Sequence, residues 1–196
     1  MPDTSKSNLK PNAALFLDRD GTVNIDTGYI DSPEKLQLIP GAAEAIARVN
    51  QAGVPVIIVT NQSGIARGMY TEQTLKEIHH RMDELLQEAD AHVDAYYHCP
   101  HHTEGIVPAY QQACKCRKPE PGMFLTAAAE MNIDLSKSVM IGDKRSDLEA
   151  GLNAGCAAIL VRTGNGVKTE RALDSSLKSN ISVENSLVNA IENWLK

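Results

Sequence analysis

The sequence predicts an α/β protein with a doubly wound parallel sheet, and three observations carry that prediction. Short, continuously apolar runs recur at 13–17, 54–59, 139–141 and 157–161. Helical patterns alternate with them along the chain. Polar residues stand where the runs end, at Asp18, Thr60 and Asp143. A strand that is apolar at every position is covered on both faces, as in a parallel sheet between helices. In such sheets, ligands bind beyond the carboxyl ends of the strands.

Each element follows in order. Residues 1–12 read as a loose polar start, and 13–17 as the first buried strand. The stretch 18–33, rich in Asp, Gly, Thr and Asn, reads as loop. Pro40-Gly41 opens a helix to about 52, and Gly53 stops it. The second strand, 54–59, runs into Thr60-Asn61-Gln62-Ser63-Gly64. Thr71 caps a helix to about 89, with Glu72, Gln73 and Thr74 resembling a capping box. A third strand is expected over 92–98, an irregular stretch over 99–118, and a helix from Pro121 to about 132. A fourth strand, 139–141, leads to Gly142-Asp143; a helix over 147–154 is stopped by Gly155; the fifth strand is 157–161. The tail reads as a helix over 183–194. One domain is expected over 13–196, with no large cap inserted after Asp20 or after Thr60.

The chain has 196 residues, 42% of them hydrophobic, which suffices for a full core without covalent staples. Its formal net charge of -6 disfavours non-specific nucleic-acid binding. No secretory pattern and no membrane-length apolar run is evident, so a cytoplasmic protein with no membrane partner is expected. Nothing suggests an exposed apolar helix face, so a monomer is expected.

Asp18 follows the first strand directly, and Asp20 stands two residues on, in Asp18-Arg19-Asp20-Gly21-Thr22. In a loop, both carboxylates can turn towards one ligand, one as nucleophile and the other handling a proton. An ordinary Asp-Gly surface turn uses the same residues. What raises the chemical reading is the company of Thr60 and Asp143 at other strand ends.

A second cluster lies within 99–116. Cys99, His101, Cys114 and Cys116 make a Cys₃His set, the donor set of a closed structural zinc site. In a reducing compartment, close cysteines are more often metal ligands than disulfides. Such a site would staple a loop with little core-forming pattern of its own. Cys156 reads as a core thiol, His102 as a spare neighbour, and His98, His79 and His80 receive no role.

These residues resemble the haloacid dehalogenase-like (HAD) phosphatase superfamily. Its pattern appears in order: LFLDRDGT at 15–22, IIVT at 57–60, Lys118 before Pro119, and Gly142-Asp143-Lys144-Arg145-Ser146-Asp147. The resemblance implies a HAD-like Rossmannoid fold and an aspartyl-phosphate formed on Asp18. Asp20 would be the acid and base, while Thr60 and Lys118 would hold phosphoryl oxygens. Mg²⁺ would be held by Asp18, Asp143 and the Asp20 backbone carbonyl. The cation and Lys118 would offset the repulsion between a carboxylate and a phosphate dianion. Asp147 could orient Lys118 or support the metal site from behind its ligands, or simply be a helix-start acid favoured by the dipole.

The zinc loop narrows the resemblance to a subgroup acting on heptose bisphosphates or histidinol phosphate. It is carried by FLDRDGTVN at 16–24, TNQSGIARG at 60–68, YYHCPHH at 96–102, CKCRKPEPGM at 114–123 and LVRTGNG at 160–166. That subgroup implies a phosphorylated-sugar substrate first and histidinol phosphate second. Substrate contacts would come from Arg19, Asp26, Thr27, Gly28, Tyr29, Asn61, Gln62, Ser63, Arg117 and Lys144, with Arg67 a further candidate. Arg and Lys near the mouth suit a second, remote phosphate. A zinc-stabilised binding module on an inactive scaffold would have lost a catalytic acid, yet Asp18, Asp20, Lys118 and Asp143 are all present. A nucleic-acid 3′-phosphatase would need a basic aromatic groove that the sequence lacks.

Overall fold

Leu15–Leu17 forms β1, and each of its residues is buried. Val56–Asn61 (β2), Ala95–Cys99 (β3), Val139–Gly142 (β4), Ala157–Val161 (β5) and Ser182–Glu184 (β6) complete a six-stranded sheet ordered β3-β2-β1-β4-β5-β6. Every pairing is parallel. The structure, a computed structural model, describes residues 12–196. The polar start read over 1–12 therefore lies, except for Asn12, outside the described residues.

The helices are Ala42–Gln51 (α1), Glu72–Gln87 (α2), Gly122–Met131 (α3), Arg145–Ala154 (α4), Gly166–Ala172 (α5), Ser175–Ser179 (α6) and Leu187–Trp194 (α7). The period-two alternation of strands sorts their side chains between two cores. Leu15, Leu17, Val56 and Ile58 pack with Ile46 of α1, Ile78 and Met82 of α2, and Ile191 of α7. Phe16, Ile57, Val59 and Met140 pack on the other face with Phe124 of α3 and Ala150 of α4. Fully burying one such side chain is worth about 1.5–3 kcal/mol.

Register brings the polar strand ends together. Leu17 pairs with Ile58 of β2 and Ile141 of β4, so Asp18 leaves the sheet level with Val59 and Gly142. The chain order reverses between β1 and β4, the switch point at which such sheets open a crevice. The connections after β1 and after β2 carry no inserted domain. Residues 18–41 hold two isolated bridges, Asp20 to Asn24 and Asn24 to Leu38, with one short 3₁₀ turn at Pro33–Lys35.

Most of the expected elements are present, with shifted ends. The tail is a correction: Val183 lies in β6, and α7 starts only at Leu187, capped by the Ser186 side chain. β6 is three residues long and half-buried, too short for a readable alternation, and it is a strand because β5 offers an edge. α5 and α6 span seven and five residues, too few for a 3.6-residue period to stand out. Thr71 caps α2 as expected, its hydroxyl accepting from the Thr74 N–H at 3.1 Å. Among the described residues, no helix is long and apolar enough to cross a membrane.

Of the paired histidines in α2, His80 is exposed and His79 is buried against Tyr96, with ring centroids 4.3 Å apart. Burial, with Arg19 and His98 nearby, lowers His79 from 6.5 to about 3. The unfolded chain therefore takes up a proton that the folded chain refuses. The stability this neutral ring contributes is present above pH 6.5 and is lost as pH falls towards 3. Urea unfolding of wild type against His79→Leu should show the difference shift by about 1.5 kcal/mol in the variant's favour between pH 6.5 and about pH 5. A difference that does not change with pH would rule out the neutral buried imidazole as its source.

Candidate active site

Lys118 is the centre of the crevice. It is buried, and its ammonium donates to Asp18 Oδ1 at 2.8 Å, to the Val59 carbonyl at 2.7 Å and pairs with Asp147 Oδ1 at 2.7 Å. Burial by itself would lower this ammonium, but the carboxylates of Asp147 and Asp18 outweigh it and hold it above its usual value. Asn61 fixes the lysine's backbone: its side chain accepts from the Lys118 N–H and donates to the Lys118 carbonyl, both at 3.0 Å.

Asp18 is buried, and its N–H donates to the Ile141 carbonyl across the switch point at 3.0 Å. Burial, then Asp147, pushes its carboxyl up from 3.8 to about 7 against the pull of Lys118 and Lys144. Asp147 combines two of the roles weighed for it. Its Oδ2 accepts from the Lys144 N–H at 2.9 Å at the start of α4, and its Oδ1 holds Lys118.

Asp143 is fully buried, and burial raises its carboxyl despite Lys144. Its Oδ2 accepts from the Asn165 N–H at 2.7 Å and from Asn165 Nδ2 at 3.2 Å. Its Oδ1 has no hydrogen-bond partner among the described residues. Gly21, at φ +91°, passes so close that a Cβ would lie 2.3 Å from Asp143 Oδ2. Only glycine combines that turn with that approach.

Carboxylate oxygens of Asp18, Asp143 and Asp147 lie within 4.8 Å of one another. The Asp20 carbonyl faces the same space, 3.4 Å from Lys144 Nζ. Asp143 Oδ1 has the Lys144 ammonium 3.8 Å away but accepts no hydrogen bond among the described residues, and such a buried oxygen beside hard oxygen donors fits a small divalent cation such as Mg²⁺. The half-exposed Lys144 also reaches Asp26 Oδ2 at 3.2 Å.

Asp20's carboxylate turns the other way. The fully buried Arg19 donates to both of its oxygens at 3.0 Å, while Asn24 Nδ2 and Gln62 Nε2 each add a bond at 3.0 Å. Burial alone would raise Asp20, but the Arg19 guanidinium and these donors hold it below its usual value. Thr60, buried, accepts from Gln62 Nε2 at 2.8 Å.

The other sequence-derived candidates divide. Asp26 is drawn into the site, accepting from Asn165 Nδ2 at 3.2 Å as well as from Lys144. Thr27, Gly28 and Tyr29 are exposed beyond it. Arg117 is half-buried and donates to the His101 carbonyl at 3.3 Å. Ser63 is half-buried. Arg67 is occupied by Glu104, 3.4 Å away. Sequence reading quoted Thr163 and Asn165 in the run 160–166 without giving them a role, and it missed Thr169. The Thr163 hydroxyl donates to the Gly21 carbonyl at 2.7 Å, and that of Thr169 to the Asp143 carbonyl at 2.8 Å. The signal was available: Thr163-Gly164-Asn165-Gly166 is a fourth polar strand end, after β5.

The Cys₃His set is gathered at the end of β3. Sγ–Sγ distances among Cys99, Cys114 and Cys116 are 3.2–3.4 Å, and His101 Nδ1 lies 3.4 Å from Cys116 and 3.7 Å from Cys99. A tetrahedron with 2.3 Å metal–sulfur bonds has edges of about 3.8 Å. The four donors therefore fit zinc with a slight contraction. Cys156 is a free buried thiol in the core.

The sequence matches the haloacid dehalogenase-like hydrolase family over residues 15–103 and a HAD-hydrolase-like family over 115–187. It is 46% identical over 158 residues to the D-glycero-beta-D-manno-heptose-1,7-bisphosphate 7-phosphatase of Yersinia pestis, covering 80% of this chain and 84% of that protein. The enzyme of the same name from Escherichia coli K12 is 42% identical over 169 residues, 85% and 88% of the two chains. Among solved structures, D,D-heptose 1,7-bisphosphate phosphatase from B. bronchiseptica, complexed with magnesium and phosphate, superposes with a TM-score of 0.84. It is 39% identical over 93% of this chain and 98% of that one. The chain thus belongs to the D-glycero-beta-D-manno-heptose-1,7-bisphosphate 7-phosphatase family of HAD-like hydrolases, and it is a phosphoric monoester hydrolase.

Proposed function

We propose that this chain removes the C7 phosphate of D-glycero-D-manno-heptose 1,7-bisphosphate, leaving the 1-phosphate, in the supply of heptose for bacterial lipopolysaccharide. One observation carries the chemistry: Lys118 bridges Asp18 and Asp147 beside Asp143, whose Oδ1 accepts no hydrogen bond among the described residues. The substrate, with its β anomer, rests on the relatives named above.

In this reading, an Asp18 oxygen attacks phosphorus and forms an aspartyl-phosphate, which water then cleaves. Lys118 and Thr60 hold the phosphoryl oxygens. Asp18, Asp143 and the Asp20 carbonyl hold Mg²⁺, whose charge lowers the repulsion between a carboxylate and the phosphate. Asp20 protonates the departing sugar oxygen and later takes a proton from water. Arg19 keeps it ionised in the resting site, the form suited to the water step. An incoming phosphate dianion acts in the opposite sense and raises it towards the acid form. Arg117 and Lys144 face the second phosphate. The cytoplasm suits the thiols Cys99, Cys114 and Cys116, which must stay reduced to bind zinc with His101.

Phosphate release with Mg²⁺ from the β and α heptose bisphosphates and from histidinol phosphate tests the substrate. The β heptose bisphosphate should give the highest kcat/KM; a clear preference for histidinol phosphate overturns the reading. Zinc analysis tests the staple. About one equivalent should co-purify, and less than about half an equivalent counts against the Cys₃His site. Because Cys116 stands two residues before Lys118, stripping zinc should also lower Tm and phosphate affinity together.

A further inference from the structure

Gln62 follows the last residue of β2, and its N–H donates to the Cys99 carbonyl at the end of β3, at 2.8 Å. Its side chain is buried. Nε2 donates to Asp20 Oδ2 at 3.0 Å and to Thr60 Oγ1 at 2.8 Å. Oε1 accepts from the Tyr70 hydroxyl and, at 3.4 Å, from Arg19 Nη2. A primary amide has two donor hydrogens and two acceptor lone pairs. All are engaged within the protein, which leaves none for a ligand.

The amide has only one workable orientation. A guanidinium can only donate, so the atom facing Arg19 must be the oxygen. An ionised carboxylate can only accept, so the atom facing Asp20 must be the nitrogen. Turning the amide over would set oxygen against carboxylate and nitrogen against guanidinium. Burial of the Tyr70 hydroxyl, pushed up to about 12, keeps it a donor throughout the working pH range.

We propose that Gln62 is a positioning residue rather than a substrate contact: through one amide nitrogen it ties the Asp20 carboxylate to the Thr60 hydroxyl and so fixes where Asp20 stands beside the crevice. The inference rests on the reading of Asp20 as the proton donor and goes beyond it. It predicts a specific kinetic signature. A sugar alkoxide needs a proton as it leaves, whereas p-nitrophenolate does not. Misaiming Asp20 therefore slows release of the sugar and spares the aryl ester. The share that Gln62 contributes through Thr60 is common to both substrates and cancels in their ratio.

The test compares kcat/KM for the heptose bisphosphate and for p-nitrophenyl phosphate, since that constant covers only the steps through leaving-group departure. Gln62→Met keeps an unbranched chain of similar size and removes the donors. Its kcat/KM on the sugar should fall by at least about tenfold relative to its kcat/KM on the aryl ester, a part of the 10²–10⁴ that a positioned acid contributes. Asp20→Asn should show the same selectivity more strongly, and adding Gln62→Met to it should deepen the selectivity no further. Thermal melts of each variant check folding, and Gln62→Leu replaces Gln62→Met if the latter does not fold. Equal losses on both substrates in Gln62→Met, beside a selective loss in Asp20→Asn, overturn the positioning role alone. Equal losses in Asp20→Asn overturn the proton-donor reading, and the positioning role falls with it.

Discussion

Asp18→Asn is expected to reduce turnover by at least about a thousandfold, because the attacking carboxylate is gone and an amide cannot replace it. Rapid acid quench of wild type during turnover should trap protein-bound phosphate, and the variant should trap none. Activity above about one per cent of wild type would defeat the covalent mechanism. The fold should survive the change. Burial, then Asp147, raises Asp18 from 3.8 to about 7, so the folded chain holds this proton more tightly than the unfolded chain. Its stabilising contribution is complete below pH 3.8 and is lost as pH rises through about 7. A neutral Asn is free of that loss. Tm of the metal-free variant at pH 8 should therefore equal or exceed that of wild type.

Lys118→Met should fail in both activity and stability. Lys118 is the ammonium between two buried carboxylates, Asp18 and Asp147. Removing it leaves them facing each other without compensation, at a cost of about 3–5 kcal/mol. For a chain of this size that is a fall in Tm of roughly 6–20 °C. Turnover should drop by about a hundredfold or more, through loss of a fixed positive charge on the phosphoryl oxygens. Adding Asp147→Asn separates the two effects. It removes one of the opposed charges, so the double variant should recover most of the lost Tm and none of the activity. Recovery of activity along with Tm would make Lys118 a structural residue only.

Both predictions concern side chains whose neighbours the sequence could name only in part. Asp18, Thr60, Lys118 and Asp143 were legible because each sits in a polar string after an apolar run or in an ordered motif. Asp147 was undecided between roles, and the structure realises two at once: one oxygen caps α4 and the other holds Lys118. Gln62 was read with its neighbours as a substrate contact. Its burial and the direction of its amide depend on Arg19 and Asp20, from the loop after β1, and on Tyr70, eight residues further along its own loop. Asn165 lies 22 residues beyond the Asp143 it hydrogen-bonds, outside any spacing rule.

The amino-acid sequence by itself determined the α/β class, the strands buried on both faces, the order of the chemical motifs and the Cys₃His set. These follow from local patterning, because burial on two faces demands unbroken apolar runs and strand ends must turn polar. Only the tertiary structure decided that β6 is a strand, that Asp20's carboxylate turns to Arg19 instead of towards Asp143, and that Lys118 bridges two carboxylates. Each of these depends on where a loop side chain points and on which edge is available to pair. Those directions are set by contacts between segments distant in sequence, to which a local pattern is blind.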